Sequence, residues 1–112
     1  MIVLKNYREV KKDKVKEGVK NTYVQWLITE KDGAKNFFMR LFTIEPGGYT
    51  PLHSHNWEHE VFILEGEGKI ISNGKEMLFK NGDVIFIPPN EEHQFLNVSE
   101  GLLKFICLIP KI

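Results

Sequence analysis

Cysteine is nearly missing from this chain: Cys107 stands alone among 112 residues. No disulfide can close within the chain, so stability must come from packing, a bound metal or self-association. Charge of one sign is missing as well. Fifteen Lys and Arg offset fifteen Asp and Glu for a formal net charge of zero, which removes any bulk pull toward a phosphate backbone or anionic lipid. Neither nucleic acid nor a membrane is expected as a partner. No apolar run approaches the roughly 18 residues of a membrane span, and Met1 to Tyr7 lacks the long apolar stretch and cleavage site of a signal peptide. A cytoplasmic protein is expected. Repeats, low-complexity tracts and Pro/Ser-rich linkers are lacking too, and the length lies near the commonest domain size. One domain over residues 1–112 follows.

What is there is an ordinary globular composition, 42% hydrophobic and 12% aromatic, which excludes disordered, collagen-like and disulfide-scaffold classes. Residues 1–20 read as a polar N-terminal arm, since Lys11 to Lys20 holds five lysines and two acids without helical periodicity. From Thr22 onward the period is two, predicting strands over 22–28 and 36–44, the latter apolar on both sides except for Arg40 and ended by Glu45, Pro46, Gly47 and Gly48. Further strands are predicted at 50–55, 59–64, 69–72, 75–79, 84–87, 93–98 and 102–109. Asn73-Gly74 and Asn81-Gly82 are hairpin turn signals. Many short strands without an amphipathic helix predict an all-β sandwich or barrel.

All four histidines fall into two segments, three of them within HSHNWEHE (residues 53–60). On a strand His53 and His55 share a face, a turn at Asn56 would return His59 to the same point, and His93 would close the set from a distant strand. Neutral imidazole is a good ligand for divalent Mn, Fe, Co, Ni, Cu or Zn. One such ion per chain is expected, and an octahedral ion on four imidazoles would keep two positions open.

These segments resemble the two motifs of the cupin superfamily. The first, G-x5-H-x-H-x3,4-E-x6-G, is matched by Gly47, His53, His55 and Gly66, with His59 or Glu60 at the acidic position. The second, G-x5-P-x-G-x2-H-x3-N, is matched by Gly82, Pro88, His93 and Asn97, with Asn90 in place of glycine. The resemblance implies an all-β cupin barrel, a double-stranded β-helix or jelly roll, with metal on His53, His55, His93 and either His59 or Glu60. Counting back from Gly66 reaches His59, and strand parity turns Glu60 the other way, so His59 is the preferred fourth ligand. HSHNWEHE with a downstream HQF and CLIP resembles small bacterial and archaeal cupins that use four histidines.

Parity places Phe95 beside His93, and Phe105, Cys107 and Ile109 on the inner face of the last strand, which predicts an apolar substrate pocket. Arg40 either clamps an anion in that pocket or reaches outward to an acid; Tyr49 either meets the ligand or caps the mouth. Glu58 and Glu60 are expected to be solvated or to orient an imidazole. A small oxygenated substrate is expected. A metal-dependent oxygenase of the dioxygenase type ranks first, then a metal-dependent isomerase, cyclase or decarboxylase, then a non-enzymatic binding module. The two-faced apolar strand at 36–44 predicts a homodimer that buries Phe37, Phe38 or Phe42.

Overall fold

The computed structural model describes residues 1–16 and 18–111; Glu17 of the expected arm and Ile112 lie outside them. Nine strands follow in chain order: β1 (Asp13–Lys14), β2 (Lys20–Ile28), β3 (Phe37–Tyr49), β4 (His59–Glu65), β5 (Glu67–Ser72), β6 (Lys75–Lys80), β7 (Val84–Ile87), β8 (Gln94–Leu96) and β9 (Leu103–Pro110). Two short 3-10 turns, Tyr7–Glu9 and Glu30–Asp32, are the helical elements among the described residues. No helix is long and apolar enough to cross a membrane.

The strands pair antiparallel in the order β6-β5-β8-β3-β9-β4-β7, with β2 on β3 and β1 on β2. β3 joins the two halves. Residues 37–44 pair with β9 and most of that stretch with β2, whereas Tyr49 pairs with Leu96 of β8. The strand therefore does not end at Glu45, as the Pro-Gly-Gly run suggested. Those residues form the bend at which β3 leaves one half of the sheet for the other, where Pro46 has no ladder hydrogen bond to break. Asn97 holds this crossing: its buried amide donates to the carbonyls of Ile44 and Gly101, and its oxygen accepts from Ser99. The motif asparagine is thus a structural tie.

Alternation then decides the core. On β9, Leu103, Phe105, Cys107 and Ile109 are buried while the residues between them are half-buried. On β4, His59, Val61 and Ile63 are buried and Glu60, Phe62 and Leu64 are exposed. Each large aliphatic or aromatic side chain so enclosed contributes about 1.5–3 kcal/mol. Phe42, Phe105, Phe95 and Phe79 run through the interior in successive ring contacts of 5.2, 4.6 and 5.9 Å. Gly66 makes the turn from β4 to β5 at φ +92°, where a Cβ would also strike the Leu102 carbonyl. Asn73 and Gly74 both adopt positive φ in the β5–β6 hairpin, as their sequence predicts.

The N-terminal segment is not a free arm. Gln25 on the outer face of β2 donates its amide to the carbonyls of Tyr7 and Val10, Asp13 and Lys14 pair with β2, and Lys104 of β9 approaches the Tyr7 ring. Phe38 is buried in the core and Phe42 packs against it; Phe37 alone of the three expected interface residues is exposed. The bare apolar face lies elsewhere, on β4 and β7, where Phe62, Leu64, Val84 and Phe86 are exposed.

Candidate metal centre

The predicted strand at 50–55 is reduced to a single bridge, since Pro51 offers no N–H to a ladder. At that bridge His53 N donates to the His93 carbonyl at 3.2 Å and His93 N to the His53 carbonyl at 2.9 Å. The two histidines therefore sit directly opposite each other, and their rings meet edge-on at 4.9 Å. Thr50 fastens the same segment to β8, donating its N–H to the Phe95 carbonyl and accepting the Phe95 N–H on its hydroxyl. At the far end Asn90 donates to the His55 carbonyl from a left-handed backbone, φ +68°, a conformation that asparagine tolerates in place of the motif glycine.

Ligand atoms of His53, His55 and His93 all lie within 4.8 Å of one another. His53 Nε2 and His55 Nε2 are 3.1 Å apart, within the roughly 2.8–3.4 Å separating neighbouring ligands that each lie about 2.0–2.1 Å from an ion. His59 stands at the edge of this group, its ring centre 5.0 Å from that of His93 and 5.3 Å from that of His55. Its Nε2 is buried without a hydrogen-bond partner. A buried nitrogen left unpaired costs about 1–3 kcal/mol, and a metal ion facing the lone pair removes that cost. The donor set therefore fits a divalent transition metal. Glu60 does not join it: it is exposed on the outer face, opposite Phe86 and Leu108. Glu58 is exposed as well.

Supports behind the rings set their orientation. His93 Nδ1 donates to the Glu91 carbonyl at 2.9 Å, leaving Nε2 as the free lone pair. His55 stacks on Trp57 at 4.3 Å with only 6° between planes. His59 Nδ1 lies 3.3 Å from Cys107 Sγ and 3.4 Å from Arg40 Nη2, and Arg40 Nη2 donates to the same sulfur at 3.1 Å. Arg40 thus points into the barrel, over the rings of Trp26 and Phe42, and does not reach outward to an acid. Its Nε and the Trp57 Nε1 are likewise buried and unpaired, so the buried side-chain nitrogens without partners among the described residues all belong to residues of this site.

Burial, with the neighbouring imidazoles and Arg40, pulls the His53 imidazole down to about 4. Burial, then Arg40 and the other rings, takes His59 to about 3, and His55 shifts the same way through burial, His93 and Arg40. At neutral pH these three rings are uncharged, the form that binds metal. Burial pushes the Cys107 thiol up, with Arg40 opposing.

The expected pocket residues occupy the interior beside the site. Phe95 and Phe105 stack against each other and are buried together with Cys107 and Ile109, so these four are packed core rather than the lining of an open pocket, and Cys107 touches His59. Tyr49 is half-buried at the end of β3, its carbonyl accepting from the Thr22 hydroxyl. Trp57 and the Glu91 carbonyl are supports that sequence reasoning missed. A tryptophan two residues from a histidine was the available signal for the first; a backbone carbonyl leaves none.

The model of the Cupin domain matches residues 40–109. This chain belongs to the cupin family. Its curved all-β sheet is accordingly a cupin barrel, with the histidines of both motifs meeting at the centre just described. It is 39% identical over 74 residues to the oxalate-binding protein of Thermotoga maritima, a stretch covering 62% of this chain and 61% of that protein. It is 31% identical over 71 residues to the 1-methylthio-D-xylulose 5-phosphate methylsulfurylase of Rhodospirillum rubrum, covering 63% of this chain and 46% of the relative. The match thus spans less than two thirds of either curated relative. Among solved structures, the polyketide cyclase RemF of Streptomyces resistomycificus superposes with a TM-score of 0.92 at 34% identity, over 98% of this chain and 80% of that one.

Proposed function

We propose that this cupin holds one divalent transition metal ion on His53, His55, His59 and His93 and is a metal-dependent enzyme for a small oxygenated molecule, of the cyclase, isomerase or decarboxylase kind. The observation that carries this is the donor set: four imidazoles gather at one place, the buried His59 Nε2 has no other partner, and the motif's carboxylate candidate, Glu60, faces away. When bound, such an ion supplies a Lewis acid whose charge no carboxylate ligand cancels, able to polarise a carbonyl, enol or carboxylate oxygen. His53 and His55 are only half-buried, which leaves the substrate's approach on their side. The buried, stacked Phe95 and Phe105 make the inner side apolar, where electrostatic interactions gain strength. The similarity to a polyketide cyclase over nearly the whole chain and to an oxalate-binding protein supports an oxygen-rich ligand.

A dioxygenase is the second reading, favoured by the two coordination positions that four protein ligands leave to an octahedral ion. One experiment separates the two. Metal content is measured on protein made without added metal, and a panel of β-keto acids, phenols and small dicarboxylic acids is then assayed with and without dioxygen. Conversion that persists under strict anaerobiosis supports the cyclase or decarboxylase class; consumption of dioxygen in step with substrate replaces it by the oxygenase. Ligand-induced stabilisation without turnover of any compound makes the protein a binding module.

A second copy of the chain is the macromolecular partner of this reading. Its surface moves from β3 to the outer face of β4 and β7, since the N-terminal segment already packs on β2. Light scattering of the wild type and of Phe86→Glu checks it: a dimer that becomes a monomer is expected, and a wild-type monomer at micromolar concentration overturns it.

A further inference from the structure

We propose that Cys107 is a positioning residue of this centre: its sulfur accepts a hydrogen bond from His59 Nδ1–H, which leaves Nε2 as the bare lone pair, and Arg40 anchors the sulfur from the other side. The inference rests on the reading of His59 as a ligand. Register brings the three together. Cys107 of β9 lies directly opposite Arg40 of β3 and Val61 of β4, and His59 is the next inward residue along β4. All three side chains therefore share the inner face, although 19 to 67 positions separate them in the chain.

A neutral imidazole carries one N–H, and the surroundings choose which nitrogen holds it. Arg40 can only donate, whereas the sulfur can accept. If His59 Nδ1 accepted from Arg40, the proton would sit on Nε2, buried with no acceptor. If Nδ1 donates to the sulfur at 3.3 Å, Nε2 faces the other rings as a free donor pair. Arg40 favours this second state, because its Nη2 lies closer to the sulfur, 3.1 Å, than to the imidazole nitrogen, 3.4 Å, despite sulfur's larger radius. The state is the same one the Glu91 carbonyl imposes on His93. At His59 a thiol does the work of that carbonyl.

The test begins on metal-free wild-type protein labelled with 15N-histidine. Two-bond proton–nitrogen correlation spectra should show His59 in the Nδ1–H form, and in Cys107→Val they should show Nε2–H. Calorimetric titration with Zn(II) should find Cys107→Val weakened about 10–100-fold, the range for removing an outer support of a metal-binding imidazole. Cys107→Ser, which keeps an acceptor, should recover most of that loss. An Nε2–H tautomer in the wild type, or undiminished Zn(II) affinity in Cys107→Val, overturns the proposal. Should the valine variant not fold, the wild-type spectrum and Arg40→Met, which removes the sulfur's anchor without a cavity on β9, decide it. A wild type that shows Nδ1–H but takes up no Zn(II) upholds the hydrogen bond and overturns the metal-centre reading instead.

Discussion

The two halves of the histidine cluster are held by different means. His53 and His93 are fixed by backbone: they exchange N–H and carbonyl across one bridge, and the Glu91 carbonyl sets the His93 tautomer. His55 and His59 are fixed by side chains, one by the Trp57 face and the other by Cys107 and Arg40. A backbone support survives most substitutions, since every residue but proline brings the same groups. A side-chain support can be changed one residue at a time. The first half thus resembles a permanent foundation, and the second is where such a site can be retuned.

The comparison breaks most completely when the rings that stand on the foundation are removed. His53→Ala together with His93→Ala should leave no metal after dialysis, measured by elemental analysis, because only the imidazoles of His55 and His59 remain as ligands, although the backbone bridge between positions 53 and 93 survives alanine. Next in size is an attack on the frame rather than the rings. Thr50→Val keeps the side-chain shape but takes away the hydroxyl that accepts the Phe95 N–H at 2.8 Å. Leaving that buried donor unpaired should cost about 1–3 kcal/mol, a fall of several degrees in melting temperature for a domain of this size. Calorimetry of the metal-free protein checks it. An unchanged melting temperature would mean that the frame does not depend on this bond.

The same division explains what could be read from residues alone. Period-two alternation exposed β4 and β9 and their inner faces, and the clustering of four histidines pointed to the centre, because both are local patterns. The fate of β3 was hidden: Glu45 to Gly48 carry every sign of a strand end, yet only the pairing of Tyr49 with Leu96, a long-range event, turns them into a bend. The polar N-terminal residues concealed their docking for a similar reason, since it depends on one buried amide, Gln25, meeting two carbonyls. Arg40 could have faced either way until the register set it against Cys107. Side-chain supports are long-range facts of this type.

On the side-chain half the effects should be graded. Trp57→Ala removes the stacked face under His55; such contacts are worth about 0.5–1.5 kcal/mol, hence up to about a tenfold loss of Zn(II) affinity by titration, with the fold intact. An effect as large as that of the double histidine variant would show that Trp57 does more than orient the ring.

The smallest effect is expected at Glu60, and it sharpens the comparison because it tests the register on which the side-chain half depends. Glu60 is exposed and lies across from Phe86 and Leu108, whereas His59 before it and Val61 after it are buried. A strand's period of two allows no compromise: slipping β4 by one residue would turn Glu60 inward and at the same time expose Val61 and Ile63 while burying Phe62 and Leu64. Glu60→Gln should therefore leave metal content after dialysis unchanged, and His59→Ala should lower it. The reverse order would restore a three-histidine, one-glutamate centre. It would also require the outer and inner faces of β4 to be exchanged, so the same pair of variants judges the fourth ligand and the strand that carries it.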